Sequence, residues 1–202
     1  MNWILLSSIA SISLLGAMSP GPDFAIVVKN TLQGSIKDGI KTSFGIASAL
    51  LVHLSYTIFG IAALVKETPA LYRIIQYSGA AYLLYLGVML FKSHKAKAPI
   101  EGNIKKSTHS PFISGFLTNL LNPKAMLFIL AMFTQVISTQ QSLMLSLVCM
   151  GIVISTGLGW FIFLSTALSS PKFKSHLNKH QRKVNIAMGV LLCGLSLKIV
   201  LS

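Results

Sequence analysis

Long apolar runs without charge, separated by short basic segments, dominate the chain. Residues 1–22 carry no charged side chain, and Asp23 then interrupts an apolar stretch that continues to Val28. Further charge-free runs cover 42–65 and 74–91, followed by a polar, lysine-rich segment over 92–110. Residues 111–137 are apolar again apart from Asn122-Pro123-Lys124. No charge appears between Ala125 and Pro171, a run too long for one crossing, and Ser138-Thr139-Gln140-Gln141-Ser142 supplies a polar turn within it. The next apolar segment covers about 143–168 and the last 184–201. Because roughly 20 apolar residues cross about 30 Å of hydrocarbon, the pattern predicts an all-α integral membrane protein with six transmembrane helices. A cleaved signal peptide would open with a basic segment. Met1-Asn2-Trp3 has none, so the first run is read as a retained span.

Composition narrows the function classes. Only 10% of the 202 residues are charged and 53% are hydrophobic, against about 25% charged in soluble domains. This excludes a water-soluble enzyme. The net charge of +13 would suit nucleic acid, but the Lys and Arg residues sit in clusters between apolar runs, which fits charges beside a bilayer. No nucleic-acid partner is expected. Loops one, three and five hold 13 of the 17 Lys and Arg, whereas the opposite side has 3 (Lys66, Arg73 and Lys198). The bias puts the odd loops in the cytoplasm and both termini outside. Trp3, Tyr72, Tyr77 and Phe91 fall near predicted span ends, where aromatic rings prefer the headgroup level, and Trp160 falls mid-span as a packing residue. Cys149 and Cys193 lie within apolar segments without CxxC spacing and read as packing residues rather than a disulfide or zinc site.

Six spans divide into two halves of three, and a three-helix repeat must insert its second copy upside down. Inverted repeats mark secondary transporters, whose sites lie mid-membrane where helices are broken. Here the first span of each half is broken, at Ser19-Pro20-Gly21-Pro22 and at Asn122-Pro123-Lys124. Pro20 and Pro123 are 103 residues apart, and Gly87 and Gly194 are 107 apart. The expected organisation is one transporter domain over 1–202: repeat one about 1–92, a basic cytoplasmic linker over 93–110, and repeat two about 111–202. Proline inside a helix costs about 3 kcal/mol, and broken backbone in lipid survives only in protein or beside a wet cavity. Two independent kinks are the plainer alternative.

The same two places hold the charges farthest from a span end. Asp23 and Lys124 would each cost about 2.5–3.5 kcal/mol at a helix centre by insertion scales, and such residues mark pathways or pair with each other. Three readings of Asp23 follow: a functional carboxylate, an ion pair with Lys124, or a side chain snorkelling to the boundary. His53, deep in the second span, is either a hydrogen-bonded packing residue or a proton carrier. Asn119 and Asn122 satisfy freed backbone groups or bind a polar ligand. Gly45 with Ala49, and Gly151 with Ser155, have the spacing of helix-packing residues.

Ser19-Pro20-Gly21-Pro22-Asp23-Phe24 and the run from Gly115 to Ala125 (GFLTNLLNPKA) resemble the two signatures of the LysE/RhtB amino-acid exporters, and the run from Gly79 to Gly87 (GAAYLLYLG) resembles their third helix. The resemblance covers essentially the whole chain, and the Asp ending the first motif is most similar to the threonine and homoserine efflux branch. It implies a bacterial inner-membrane secondary transporter exporting a threonine- or homoserine-like, or another neutral or basic, amino acid, driven by the proton motive force. Its partners would be the amino acid, protons and membrane lipid, with no cofactor or metal, and self-association as a homo-oligomer stays open. The candidate substrate- and proton-binding residues are Ser19, Pro20, Gly21, Pro22, Asp23, His53, Asn119, Asn122, Pro123 and Lys124. Free N–H groups at Lys124, Ala125 and Met126, where the helix restarts, would hold a carboxylate, while Asp23 would pair with the ammonium or carry the exchanged proton. Rival classes fit less well. A metal-ion exporter would have Asp23, His53, Cys149 and Cys193 as its ligands, on four helices without a pairing motif. An intramembrane enzyme would have four acidic residues and no HExxH or GxSxG. A scaffold would have no use for two matched breaks.

Overall fold

The computed structural model describes residues 3–92, 110–137 and 142–201, and all eight elements there are helices: α1 (Trp3–Met18), α2 (Pro22–Gln33), α3 (Ile36–Glu67), α4 (Pro69–Lys92), α5 (Pro111–Leu120), α6 (Pro123–Ile137), α7 (Leu143–Ala167) and α8 (Pro171–Leu201). Most of the expected basic linker and of the polar turn (93–109 and 138–141) lies outside the described residues. Five helices begin on proline, the one helical position where its missing N–H is not needed and its fixed φ helps. Pro22 and Pro123 are therefore helix starts rather than kinks inside continuous helices. At α5 the Ser110 hydroxyl also accepts the Ile113 N–H at 3.4 Å, and at α7 Ser142 does the same for Leu145 at 3.4 Å.

Both expected breaks are present. α1 and α2 meet at 58°, and α5 and α6 at 59°. Among the described residues three helices are long and apolar enough to cross a membrane singly, in windows Ile36–Gly60, Arg73–Lys92 and Leu143–Ala167, and each bent pair adds one more by length and composition. Asn185–Leu201 is apolar but shorter. Two segments expected as basic loops are helical instead. Lys29 belongs to α2, Lys37 and Lys41 to α3, and the basic stretch from Lys172 to Lys183 to α8. The cause at α3 is local: Ser35 Oγ accepts the Asp38 N–H at 3.2 Å and donates to Asp38 Oδ2 at 2.9 Å. This capping pair starts the helix well before its apolar stretch.

α3 lies centrally, packed against α5, α7, α2 and α6. Its crossing with α5 is the tightest: a Cβ on Gly45 would lie 2.1 Å from the Phe112 carbonyl oxygen, and one on Gly115 would lie 2.3 Å from that of Thr42. Only glycine at both positions lets the backbones approach this closely. The second small-residue pair behaves differently: Gly151 and Ser155 are exposed and nothing approaches a Cβ on Gly151. α4 and α8 cross in the same manner as α3 and α5, at Gly87 and Gly189, where Ser196 Oγ donates to the Ala80 carbonyl at 2.8 Å. Cys149 is fully buried among Leu6, Ile9 and Phe133, and Trp160 packs against the cluster of Phe24, Val27 and Phe161, with its ring 5.7 Å from that of Phe163. Large apolar side chains such as Phe44, Phe59, Ile74 and Val190 point outward, as suits a surface solvated by lipid.

Candidate functional site

The two breaks face each other, and each holds the charge of the other. Asp23, in the first turn of α2, accepts hydrogen bonds at Oδ2 from Asn119 Nδ2 (3.0 Å) and Asn122 Nδ2 (3.1 Å), both at the second break. Lys124, in the first turn of α6, donates from Nζ to Ser19 Oγ (2.8 Å) and to the Pro20 carbonyl (3.0 Å), both at the first. The two charges are not in direct contact, and the ion pair offered as one of the three readings of Asp23 is not formed in this arrangement. Asp23 Oδ1 is buried, and Oδ2 is turned to the second break.

Helix ends explain the exchange. A carboxylate suits the positive N-terminus of α2. An ammonium does not suit the N-terminus of α6, and Lys124 instead reaches the Pro20 carbonyl, two residues past the C-terminal, negative end of α1. Gly21 gives it room, because a Cβ there would lie 3.2 Å from Nζ.

The N-terminus of α6 is less open than the sequence suggests. Asn122 Oδ1 accepts the Lys124 N–H at 3.0 Å and the Asn122 carbonyl accepts the Met126 N–H at 3.1 Å. Two of the three N–H groups expected to hold a carboxylate are thus engaged. By contrast Gly21, the N-cap of α2, has no side chain to cap with.

Several valences stay open. Asp23 Oδ1 and Asn119 Oδ1 are buried with no hydrogen-bond partner among the described residues. Lys124 Nζ has two acceptors there, one fewer than its three N–H groups can serve. Buried polar atoms are rarely left unpaired, and each calls for an explanation.

Ser19, Gly21, Asp23, Asn119, Asn122 and Lys124 line one cavity of about 70 Å³. Pro20, Pro22, Pro123 and His53 do not line it: the prolines shape the backbone, and His53, 1% exposed, sits behind Asn119 with Nε2 3.1 Å from its carbonyl oxygen. Apart from Ser13 the rest of the wall is apolar, with Leu50, Phe128, Val153 and Phe161 prominent. Sequence reasoning missed these residues, for which apolar residues in apolar helices give no signal. It also missed Tyr56, whose hydroxyl meets His53 Nδ1; the i, i+3 spacing on one helix was available to find it. Among the described residues no three His, Cys, Asp or Glu side chains are grouped as metal ligands would be.

Known proteins resemble this chain along most of its length. The chain is 29% identical to an uncharacterized membrane protein, YrhP, of Bacillus subtilis (strain 168), over 95% of this chain and 96% of that one. It is 32% identical to the leucine efflux protein of Salmonella typhimurium (strain LT2), over 89% and 87%. With the threonine efflux protein of Escherichia coli (strain K12) the identity is 22%, over 98% of both. No solved structure matches. The profile of the LysE type translocators matches residues 14–202, and the chain belongs to that family.

Proposed function

We propose that this protein exports a neutral amino acid with an aliphatic side chain across the bacterial inner membrane, in exchange for a proton that binds at Asp23. The observation that carries this reading is the set of open valences around one cavity: two acceptors, Asp23 Oδ1 and Asn119 Oδ1, and one donor on Lys124 Nζ. A zwitterion needs that pair, acceptors for its ammonium and a donor for its carboxylate. The cavity has the space of about five or six waters, which suits a single amino acid. Its far wall is apolar, and the hydroxyl on it, Ser13, is already engaged with Thr156 Oγ1 at 2.9 Å. A substrate hydroxyl there would meet only the spare lone pairs of Ser13 Oγ, on a wall that is otherwise apolar. The relatives named for leucine and threonine efflux bracket this choice.

Coupling follows from charge. Ionised Asp23 attracts the substrate ammonium; a proton arriving from outside neutralises it and releases the substrate. The two bends of 58° and 59° support an inverted repeat of about 1–92 and 111–202, in which one half rocks against the other to alternate access. The 13-to-3 distribution of Lys and Arg supports both termini outside. Single cysteines at Ser107 and Ser175 should then resist impermeant reagents in intact cells, and cysteines at Ser138 and Ser202 should react. The opposite labelling would reverse the orientation.

The deciding experiment is uptake into proteoliposomes under an imposed pH gradient. Leucine and valine should accumulate. Threonine should do so more weakly, by at most about 100-fold relative to its isostere valine, since an apolar pocket rejects an added hydroxyl no better than that. Lysine should not accumulate. Accumulation of lysine, or of a divalent ion with no amino acid moved, would overturn the reading.

A further inference from the structure

Helix α5 ends at Leu120 because residue 123 is proline. In a continuing helix the Asn119 carbonyl would accept the N–H of residue 123, and proline has none. Asn119 is 1% exposed, and two protein donors serve its carbonyl. It takes the Asn122 N–H at 2.9 Å and, from another helix, His53 Nε2 at 3.1 Å. A carbonyl only accepts, so Nε2 carries the hydrogen. In the neutral ring Nδ1 is then an acceptor, and it takes the hydroxyl proton of Tyr56. Both ring nitrogens are engaged, one on the break and one on the outward-facing Tyr56.

The placement of the ring is equally specific. Gly45, Ala49 and His53 recur every four residues, so they share one face of α3, the face that meets α5 at the close Gly45–Gly115 crossing. From there His53 reaches the last turn of α5, whose Asn119 side chain holds Asp23.

We infer that His53 is a positioning residue: its Nε2–H replaces the amide hydrogen that Pro123 lacks, fixes the main chain of Asn119, and thereby aims the Asn119 side chain at Asp23. Tyr56 locks the tautomer that makes this work. On this assignment His53 carries no proton in the transport cycle. The hydrogen bond stands on geometry alone; its effect on transport rests on the export reading above.

The test uses full-length protein in two readouts. In protein labelled with ¹⁵N-histidine, the ring signals that vanish in His53→Gln should report a hydrogen on Nε2; a hydrogen on Nδ1 instead overturns the assignment, whether or not the protein exports amino acids. In proteoliposomes His53→Gln, whose amide can donate to the same carbonyl but cannot titrate, should keep export and its response to external pH. His53→Leu should lower export by about tenfold or more, and Tyr56→Phe by less. Loss of the pH response in His53→Gln would make His53 a proton carrier, and full export by His53→Leu would remove it from the site. Should the parent protein move no amino acid at all, the proposed function fails while the ring signals still decide the position of the hydrogen.

Discussion

The two helix breaks look alike in sequence and bend by nearly the same angle, 58° and 59°, yet they are finished differently. The second is closed on itself: Asn122 caps the Lys124 N–H, its carbonyl takes the Met126 N–H, and His53 serves the Asn119 carbonyl. The first has no capping side chain, runs through Ser19, Pro20 and Gly21, and leaves Asp23 Oδ1 without a partner. The difference teaches a division of labour. The second break has its backbone tied down and presents two amides and an ammonium, with Asn119 Oδ1 and one N–H of Lys124 still open; the first carries the carboxylate, with Asp23 Oδ1 open.

The largest expected effect comes from removing the carboxylate charge at the first break. Asp23→Asn keeps the hydrogen-bonding shape but cannot exchange a proton, so uptake driven by a pH gradient should vanish, leaving at most downhill exchange indifferent to external pH. Asp23→Glu should retain part of the activity. Gradient-driven uptake by the Asn variant would move the proton elsewhere and end the contrast between the breaks.

Next in size is Lys124→Met, which leaves Ser19 Oγ and the Pro20 carbonyl without their donor. Ser19 is buried and Pro20 half-buried, and an orphaned buried group costs about 1–3 kcal/mol, so thermal stability in detergent should fall together with export. Unchanged stability would show that the first break does not depend on the second.

Asn122→Ala separates capping from presentation. Losing the cap should destabilise by about 0.5–2 kcal/mol, and losing one of two donors to Asp23 should weaken substrate affinity while some export remains. The affinity is read from competition by unlabelled leucine.

The smallest effect belongs to Gly21→Ala. The added methyl would sit 3.2 Å from Lys124 Nζ, so the flexible lysine must shift by a few tenths of an ångström. Export should drop modestly at normal abundance; a loss as deep as that of Asp23→Asn would place the carboxylate contact at Gly21 itself.

The breaks, their prolines and the two charges were legible in the sequence because prolines and charges within apolar segments are rare and costly. The partners of those charges were not. Pairing Asp23 with Lys124 is the natural guess for opposite charges in lipid, but the geometry of the crossed helix ends gives each charge a neutral partner on the other break. Helix lengths were misjudged where charge was read as loop. At Ser35 and Asp38 a capping pair was there to be read, and the basic run from Lys172 to Lys183 is rich in Lys, Arg and Gln, which favour helix. The apolar wall at Leu50, Phe128 and Phe161 had no sequence signal at all, since such residues line every span.

The crossed grip also bears on how the protein is made. The chain inserts from its N-terminus, so Asp23 enters the bilayer about a hundred residues before the two asparagines that hold it are synthesised. Until then the first half carries a carboxylate worth about 2.5–3.5 kcal/mol against insertion, and the second half made alone would carry an unserved ammonium. Neither half is a complete membrane protein. Expressed separately, residues 1–92 should be poorly retained in the membrane and degraded, and co-expression with residues 111–202 should rescue them. Asp23→Asn should make the isolated first half more durable even as it silences the whole transporter.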